Sequence, residues 1–390
     1  MKTFIVKATR SPLGAFLGNL SELSAPKIMS QLIQSLNLSN EIKAGIDEAY
    51  IGHVLSANVG QAPAKQALLY AGLSTNIPAT GVNKVCASGM KATMLGAMSI
   101  SSGINHLVLV GGMENMSLTP FYSSALRKGE KLGHLNLTDG LLFDGLTNPY
   151  DQQHMGMSAE LCATDHQISR EEQDDYALLS YQRAIKAKNK GLLQKEISTI
   201  TTKKGETSED EGLENLNLNK LSELKPVFKK DGSVTAGNAS TLNDGASVLL
   251  LASEQAVKQY NLTPLAEIIS YADASQNPEH FTTSPTPALQ KAIKQAKLTT
   301  EEIDYFEINE AFSVVALANK KLLNIPLEKL NIHGGAVSLG HPLGASGCRI
   351  LVSLINILHQ NNATYGGAAI CNGGGGASAM IIKAIKNVSK

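Results

Sequence analysis

A chain of 390 residues with 34 lysines plus arginines against 34 aspartates plus glutamates has no net field to draw it onto nucleic acid or an anionic membrane, so small molecules and copies of itself are the expected partners. The length exceeds one ordinary core and suits two or three packed domains with a cleft between them. No apolar run nears the roughly eighteen residues of a membrane span. The N-terminal MKTFIVKATRSPLG lacks a signal peptide's apolar segment and cleavage site, and a cytoplasmic location is expected.

Short apolar strands alternate with amphipathic helices from the start, the pattern of an α/β fold. A strand over Thr3 to Ala8 is followed by a helix after Pro26 with Ile28, Met29, Leu32, Ile33 and Leu36 on one stripe. Next come a strand over Ala49 to Leu55, a helix after Pro63, a strand over Gly81 to Cys86, a helix through Met90 to Met98, and an apolar strand from His106 to Val110 expected to stop at Gly111-Gly112. Residues 119–240 break the rhythm, with a charged and polar stretch from Thr201 to Lys230 and one clear helix from Ser169, which forms a capping box with Glu172 and stops near Gly191. They are expected to be an inserted loop domain. Beyond them Gly245-Ala246-Ser247 opens the apolar strand Val248 to Leu251, and Gly376-Ala377-Ser378 opens Ala379 to Ile382 in the same way. VNKVCASGMKA around Cys86 and AVSLGHPLGASG around His341 also correspond, each a turn with a reactive side chain before a helix. Two packed copies of one α/β unit would bring these turns together.

Four cysteines in so long a chain are not a disulfide framework, and no C-x-x-C pair supports zinc or redox chemistry. Cys162, on a helix, and Cys348, at the start of an apolar helix, are expected to be small buried hydrophobes. Cys86 sits at a strand-to-helix junction, where free backbone N–H groups and the helix dipole favour the thiolate; the segment alone fits a core thiol equally well. His341, between Gly340 and Pro342 with Gly344 and Gly347 behind, is expected on a tight turn where its imidazole could accept the Cys86 proton. Cys371 opens Cys371-Asn372-Gly373-Gly374-Gly375-Gly376 after the strand Ala368 to Ile370. No Lys-Ser/Thr follows as in a phosphate loop, and bare glycines beside a thiol suit N–H groups aimed at an oxyanion. Asn309, after the strand Tyr305 to Ile308, is either a helix cap or a further polar group at the carboxyl end of a sheet.

Seven segments in order, VNKVCASGMKA, GGMENMS, HMGMSAE, VTAGNASTLNDGA, EINEAFS, GGAVSLGHPLGASG and ICNGGGGASAM, resemble the thiolase family across nearly the whole chain, most closely its biosynthetic acetoacetyl-CoA members of the mitochondrial type. The resemblance implies a duplicated five-layered αβαβα core. Residues 1–118 with 241–262 would form one half, 119–240 a loop domain over the coenzyme A site, and 263–390 the second half. It implies acetyl-CoA C-acetyltransferase activity, joining two acetyl-CoA to acetoacetyl-CoA and coenzyme A and running in reverse, with a degradative 3-ketoacyl-CoA thiolase of broader chain length as the alternative. Cys86 would be the nucleophile, His341 its base and Cys371 the base at the second acetyl group. One oxyanion hole would come from His341 and a water held by Asn309, another from the N–H groups of Cys86 and Gly373. Leu146, His154, Met155, Ala239, Ser240, Ala311 and Phe312 would line the pantetheine and acyl tunnel, and a homotetramer is implied. The chain departs from the pattern at Asn115, at His333 and at Leu213, which stands where potassium-activated members carry a tyrosine. No metal and no cofactor beyond coenzyme A itself is expected, and the nucleotide contacts within 201–225 are unassigned.

Overall fold

A computed structural model describes residues 1–129, 131–214 and 218–386; the last four residues of the expected C-terminal half lie outside the described residues. The first elements are β1 (Thr3–Arg10), α1 (Ala25–Ser35), β2 (Glu48–Gly52), α2 (Pro63–Tyr70), β3 (Ala79–Val82), α3 (Ser88–Ser101) and β4 (Leu107–Asn115). The intervening segment carries α4 (Met155–Asp165) and α5 (Arg170–Asn189), and the core resumes with β5 (Asn243–Ser253). The remainder is β6 (Ala266–Ser275), α6 (Pro285–Ala296), β7 (Tyr305–Ile308), α7 (Ser313–Leu323), α8 (Leu343–Gln360), β8 (Tyr365–Asn372) and β9 (Gly376–Ala384).

The strand order β7-β8-β9-β6-β1-β5-β4-β2-β3 contains one plan twice. In the first copy β1 runs antiparallel to β5, β5 antiparallel to β4, and β4, β2 and β3 are parallel. In the second β6 runs antiparallel to β9, β9 antiparallel to β8, β8 parallel to β7, and a parallel bridge from Phe306 to Leu330 takes the place of β3. The two meet at β1 and β6 through the antiparallel pairs Thr3 with Ile268, Phe4 with Glu267 and Ile5 with Ala266. The repeated Gly-Ala-Ser segments therefore open equivalent strands, β5 and β9.

Alternation along the strands decides the layers, because neighbouring side chains face opposite sides of a sheet. Val108, Val110, Leu249 and Leu251 of the first copy and Ala368, Ile370, Met380 and Ile382 of the second face one central core with Met90 and Met94 of α3 and Ile350, Leu351 and Leu354 of α8. Their neighbours Leu107, Leu109, Val248 and Leu250 face outward against Ile28, Met29, Leu32 and Ile33 of α1 and Ala67 and Leu68 of α2. On the other side Ala369, Ala379 and Ile381 face Ala288, Leu289 and Ala292 of α6 and Ala316 of α7. The result is the expected five layers, with α3 and α8 between the two halves of this sheet. Pro26 starts the first turn of α1, and the capping box of Ser169 and Glu172 opens α5 as expected.

Four expected boundaries are wrong, and close backbone approach explains two of them. β4 does not stop at Gly111-Gly112 but runs on to Asn115. A Cβ at Gly111 would lie 2.3 Å from the Ser247 carbonyl oxygen, and one at Gly112 only 2.0 Å from that of Gly344, so these glycines admit neighbouring backbone to a continuous strand. Gly344 and Gly347 likewise lie inside α8, not in a turn, where a Cβ would meet Met113 O at 2.7 Å and Met90 N at 2.5 Å respectively. The others are the strand expected to reach Cys86, which ends at Val82, and the strand expected to reach Leu55, which ends at Gly52. Because backbone cannot yield as a flexible side chain can, Gly112→Ala is expected to destabilise the fold by about 3 kcal/mol. A thermal midpoint equal to that of the parent protein would contradict this packing.

Candidate active site

Cys86 lies in the turn between β3 and α3. Ser88 Oγ accepts from Lys84 N at 2.9 Å and donates to the Val85 carbonyl at 2.6 Å, while Ala87 N reaches the Lys84 carbonyl at 3.1 Å. Val85 is thereby held at φ 47°, a left-handed conformation uncommon for a β-branched residue, directly before the cysteine. The turn is tied to the second half by Lys84, which pairs with Asp273 and donates to Ser378 Oγ at 2.8 Å.

His341 lies in the loop before α8, just after Gly340, whose φ of 117° and packing against Asn243 leave no room for a Cβ. The Asn243 side chain accepts from His341 N at 3.1 Å and donates to the Gly14 carbonyl at 2.9 Å. The ring's Nδ1 sits 2.6 Å from Ser346 Oγ, and that hydroxyl donates its one hydrogen to the Pro342 carbonyl at 2.9 Å. A ring proton on Nδ1 fits this network and leaves Nε2 as an acceptor, 3.5 Å from the Asn309 Nδ2 donor. Asn309 is not a helix cap, since α7 begins only at Ser313. Its amide is turned by Arg349, whose Nη2 donates to Oδ1 at 3.4 Å.

Cys371 ends β8, and the chain turns through Gly374 and Gly375, at φ 83° and 86°, into β9. This hairpin lays the Gly373 N–H against the Cys86 sulfur. Cys86, His341 and Gly373 line one cleft of ≈ 640 Å3, together with all seven expected tunnel residues, Leu146, His154, Met155, Ala239, Ser240, Ala311 and Phe312. Cys371 and Asn309 do not line it; they are 0% and 1% exposed, immediately behind its wall. Ser240 is fixed by bonds from its N and Oγ to the Ala311 carbonyl, at 3.1 and 2.9 Å. His154 Nδ1 accepts from Gly156 N at 3.0 Å while its ring stacks on Phe228 at 4.5 Å between centroids. Met155 closes the floor, its sulfur 3.5 Å from where a Cβ on Gly373 would lie.

The electrostatics reverse one expectation. Burial pushes the Cys86 thiol up to about 12, outweighing the N–H groups of Gly373 and Cys86 itself, and the nearby Glu114 charge raises it further. Burial takes His341 down to about 3, with the Arg349 guanidinium adding to the effect. Cys371 is also held well above its ordinary range, first by burial and then by the neighbouring Cys86. Burial thus favours a neutral thiol and a neutral imidazole in the resting site over a thiolate prepared by a helix dipole. Cys162 and Cys348 are buried among apolar side chains, as expected.

Sequence reasoning missed the residues behind the site. Arg349 in an otherwise apolar helix and Glu114 in a wholly buried strand each broke an apolar run, which was the available signal. Asn243, Ser346 and Phe228 carried none.

The chain matches the family model described as thiolase, N-terminal domain over residues 3–255 and that described as thiolase, C-terminal domain over residues 262–384. It is 51% identical to acetyl-CoA acetyltransferase 2 of Arabidopsis thaliana over 97% of this chain and 96% of that one. It is 48% identical to a Gibberella zeae protein named as a cytosolic acetyl-CoA acetyltransferase, over 97% and 98%. A crystal structure of an Ascaris suum thiolase in complex with coenzyme A superposes with a TM-score of 0.93 at 39% identity, covering 99% of this chain and 100% of that one.

Proposed function

The chain belongs to the thiolase family, and from that premise we propose that it is an acetyl-CoA C-acetyltransferase working through an acetyl group held on Cys86. The observation that carries this reading is the Cys86 sulfur under the Gly373 N–H in a cleft that His341 also lines. Cys86 Sγ attacks the thioester carbonyl of acetyl-CoA as its proton passes to His341 Nε2, and the departing coenzyme A thiolate takes that proton. The N–H groups of Gly373 and Cys86 receive the oxyanion as the carbon becomes tetrahedral. Cys371 next gives its proton to His341, and its thiolate removes one from the methyl group of a second acetyl-CoA. Asn309, holding a water with His341, supports the resulting enolate oxygen. The carbanion attacks the acetyl-cysteine carbonyl, acetoacetyl-CoA forms, and the Cys86 thiolate recovers its proton from His341. Thiolysis is the same sequence reversed.

Met155 and the His154–Phe228 stack take up space in the cleft that Cys86 lines, which supports a short chain. Acetoacetyl-CoA is expected to be cleaved at least about tenfold faster than the ten-carbon 3-ketoacyl analogue, since each misplaced methylene already costs about that much. A preference for the longer substrate would instead make this a degradative 3-ketoacyl-CoA thiolase. Leu213 packs with Leu193, Val337 and Leu339 in apolar surroundings, so equal rates are expected in sodium and potassium buffers.

A cytoplasmic, mitochondrial-type homotetramer completes the proposal. The location is supported by the relative named as cytosolic. The assembly is supported by Leu118, Phe121, Leu126, Leu132 and Leu137, exposed by 48 to 92% within twenty residues of chain, and by the open edge of β3. Light scattering should give four times the 41.3 kDa chain mass, and a monomer would refute it.

A further inference from the structure

Glu114 has no place in the reaction above, yet it occupies the point where the two halves meet beneath the site. It is fully buried in β4, and its carboxylate accepts three backbone N–H groups: Leu55 at 3.0 Å, Val54 at 3.2 Å and Gly344 at 2.8 Å. The first two belong to the loop after β2; the third is the second residue of α8, a helix without a side-chain cap of its own. Gly344 follows His341 by three residues. A Cβ placed on Gly89, which follows Cys86 by three, would meet the Gly344 carbonyl at 2.8 Å. The same residue is thus approached from both sides, by the backbone of α3 at its carbonyl and by the Glu114 carboxylate at its N–H.

We infer that Glu114 is a positioning residue of this enzyme: its carboxylate, reaching from the first half, fixes the start of α8 and hence sets His341 against Cys86. The inference rests on the function proposed above. Aspartate would keep the charge but retract it, while glutamine would turn an NH2 donor against backbone N–H donors that need acceptors. The charge also bears on the nucleophile, since Glu114 raises the Cys86 thiol. The titratable groups facing it are His53, whose Nε2 lies 3.4 Å away, Cys86, and Asp244, which it also raises. Burial holds His53 neutral, down to about 4. The carboxylate itself is brought by burial to about 7, against the pull of its N–H donors. Protonation turns one carboxyl oxygen into a donor among these three N–H groups and weakens the acceptor that α8 requires, so turnover falls as pH drops through that value.

The test compares Glu114→Gln, Glu114→Asp and the parent protein. Glu114→Gln should lower kcat about a hundredfold, the scale of a 1 Å misplacement, with KM changed less than about twofold. It should also speed iodoacetamide alkylation of Cys86 at pH 8 several-fold, because the repelling charge is gone; a general loss of structure would not separate these readouts in this way. Glu114→Asp should lose turnover while alkylating at the parent rate. The parent kcat should show an acid limb near pH 7 that Glu114→Gln lacks. Undiminished kcat in either folded variant, unchanged alkylation in Glu114→Gln, or, if neither variant folds, a parent profile flat across pH 7 would overturn the inference. Acetylation of Cys86 in the parent protein is measured alongside. Its absence would sink the proposed function, whereas a normally acetylated parent with active variants would sink only the role of Glu114.

Discussion

Cys86→Ala is expected to lower kcat for acetoacetyl-CoA thiolysis by at least about 10,000-fold, the scale on which enzymes lose a covalent nucleophile. The substitution removes one sulfur from a position that is already 91% covered, so the fold should survive with its thermal midpoint little changed. No neighbouring thiol can substitute. Cys371 is committed to the methyl group of the second acetyl-CoA, while Cys348 and Cys162 are packed in apolar cores, so no stand-in faces the first thioester carbonyl. The residual activity of the variant then measures what the Gly373 and Cys86 N–H groups and substrate binding supply without covalent catalysis. A variant within tenfold of the parent would mean that the acyl group is transferred without visiting this cysteine.

Cys371→Ala should separate the two half-reactions. Its first step depends on Cys86, His341 and the N–H groups, all intact, so mixing with acetyl-CoA should release one equivalent of coenzyme A per chain in a burst. Turnover should then stall, with condensation reduced by about 1,000-fold, within the range that loss of a general base produces. The physical reason is the elevated affinity of Cys371 for a proton: burial makes its thiolate a strong base, suited to a weakly acidic methyl group. If the burst also disappears, Cys371 is needed for acylation and the division of labour between the cysteines is wrong.

Much of this was legible before the structure, for identifiable reasons. Strand and helix alternation, the stripe of α1 and the capping box at Ser169 are local signals, and the paired Gly-Ala-Ser segments proved to open equivalent strands of a duplicated fold. The reactive side chains stand where the backbone is unusual, at Val85, Gly340 and the Gly374-Gly375 turn, and glycines advertise two of those places in the sequence. What glycine signifies was less legible. Gly112, Gly344 and Gly347 looked like breaks and turns, but they sit in regular elements, because the neighbour that forbids a side chain comes from the other half of the chain. The charge state of the site was hidden for a similar reason. The dipole of α3 is a local feature, whereas the burial that overrides it arises only when both halves close over Cys86 and His341. Asn243, Ser346 and Arg349 orient the histidine and its asparagine through contacts no spacing rule foretells.

The central claim is that a sulfur from the first half and an imidazole from the second form one acyl-transfer site over Cys86. Mass spectrometry of the parent protein, quenched after brief exposure to acetyl-CoA and digested, tests it most directly. One acetyl group per chain, on the peptide containing Cys86 and lost on adding coenzyme A, is the result expected. An acetyl group carried stably on another residue, or none at all while condensation proceeds, would contradict it.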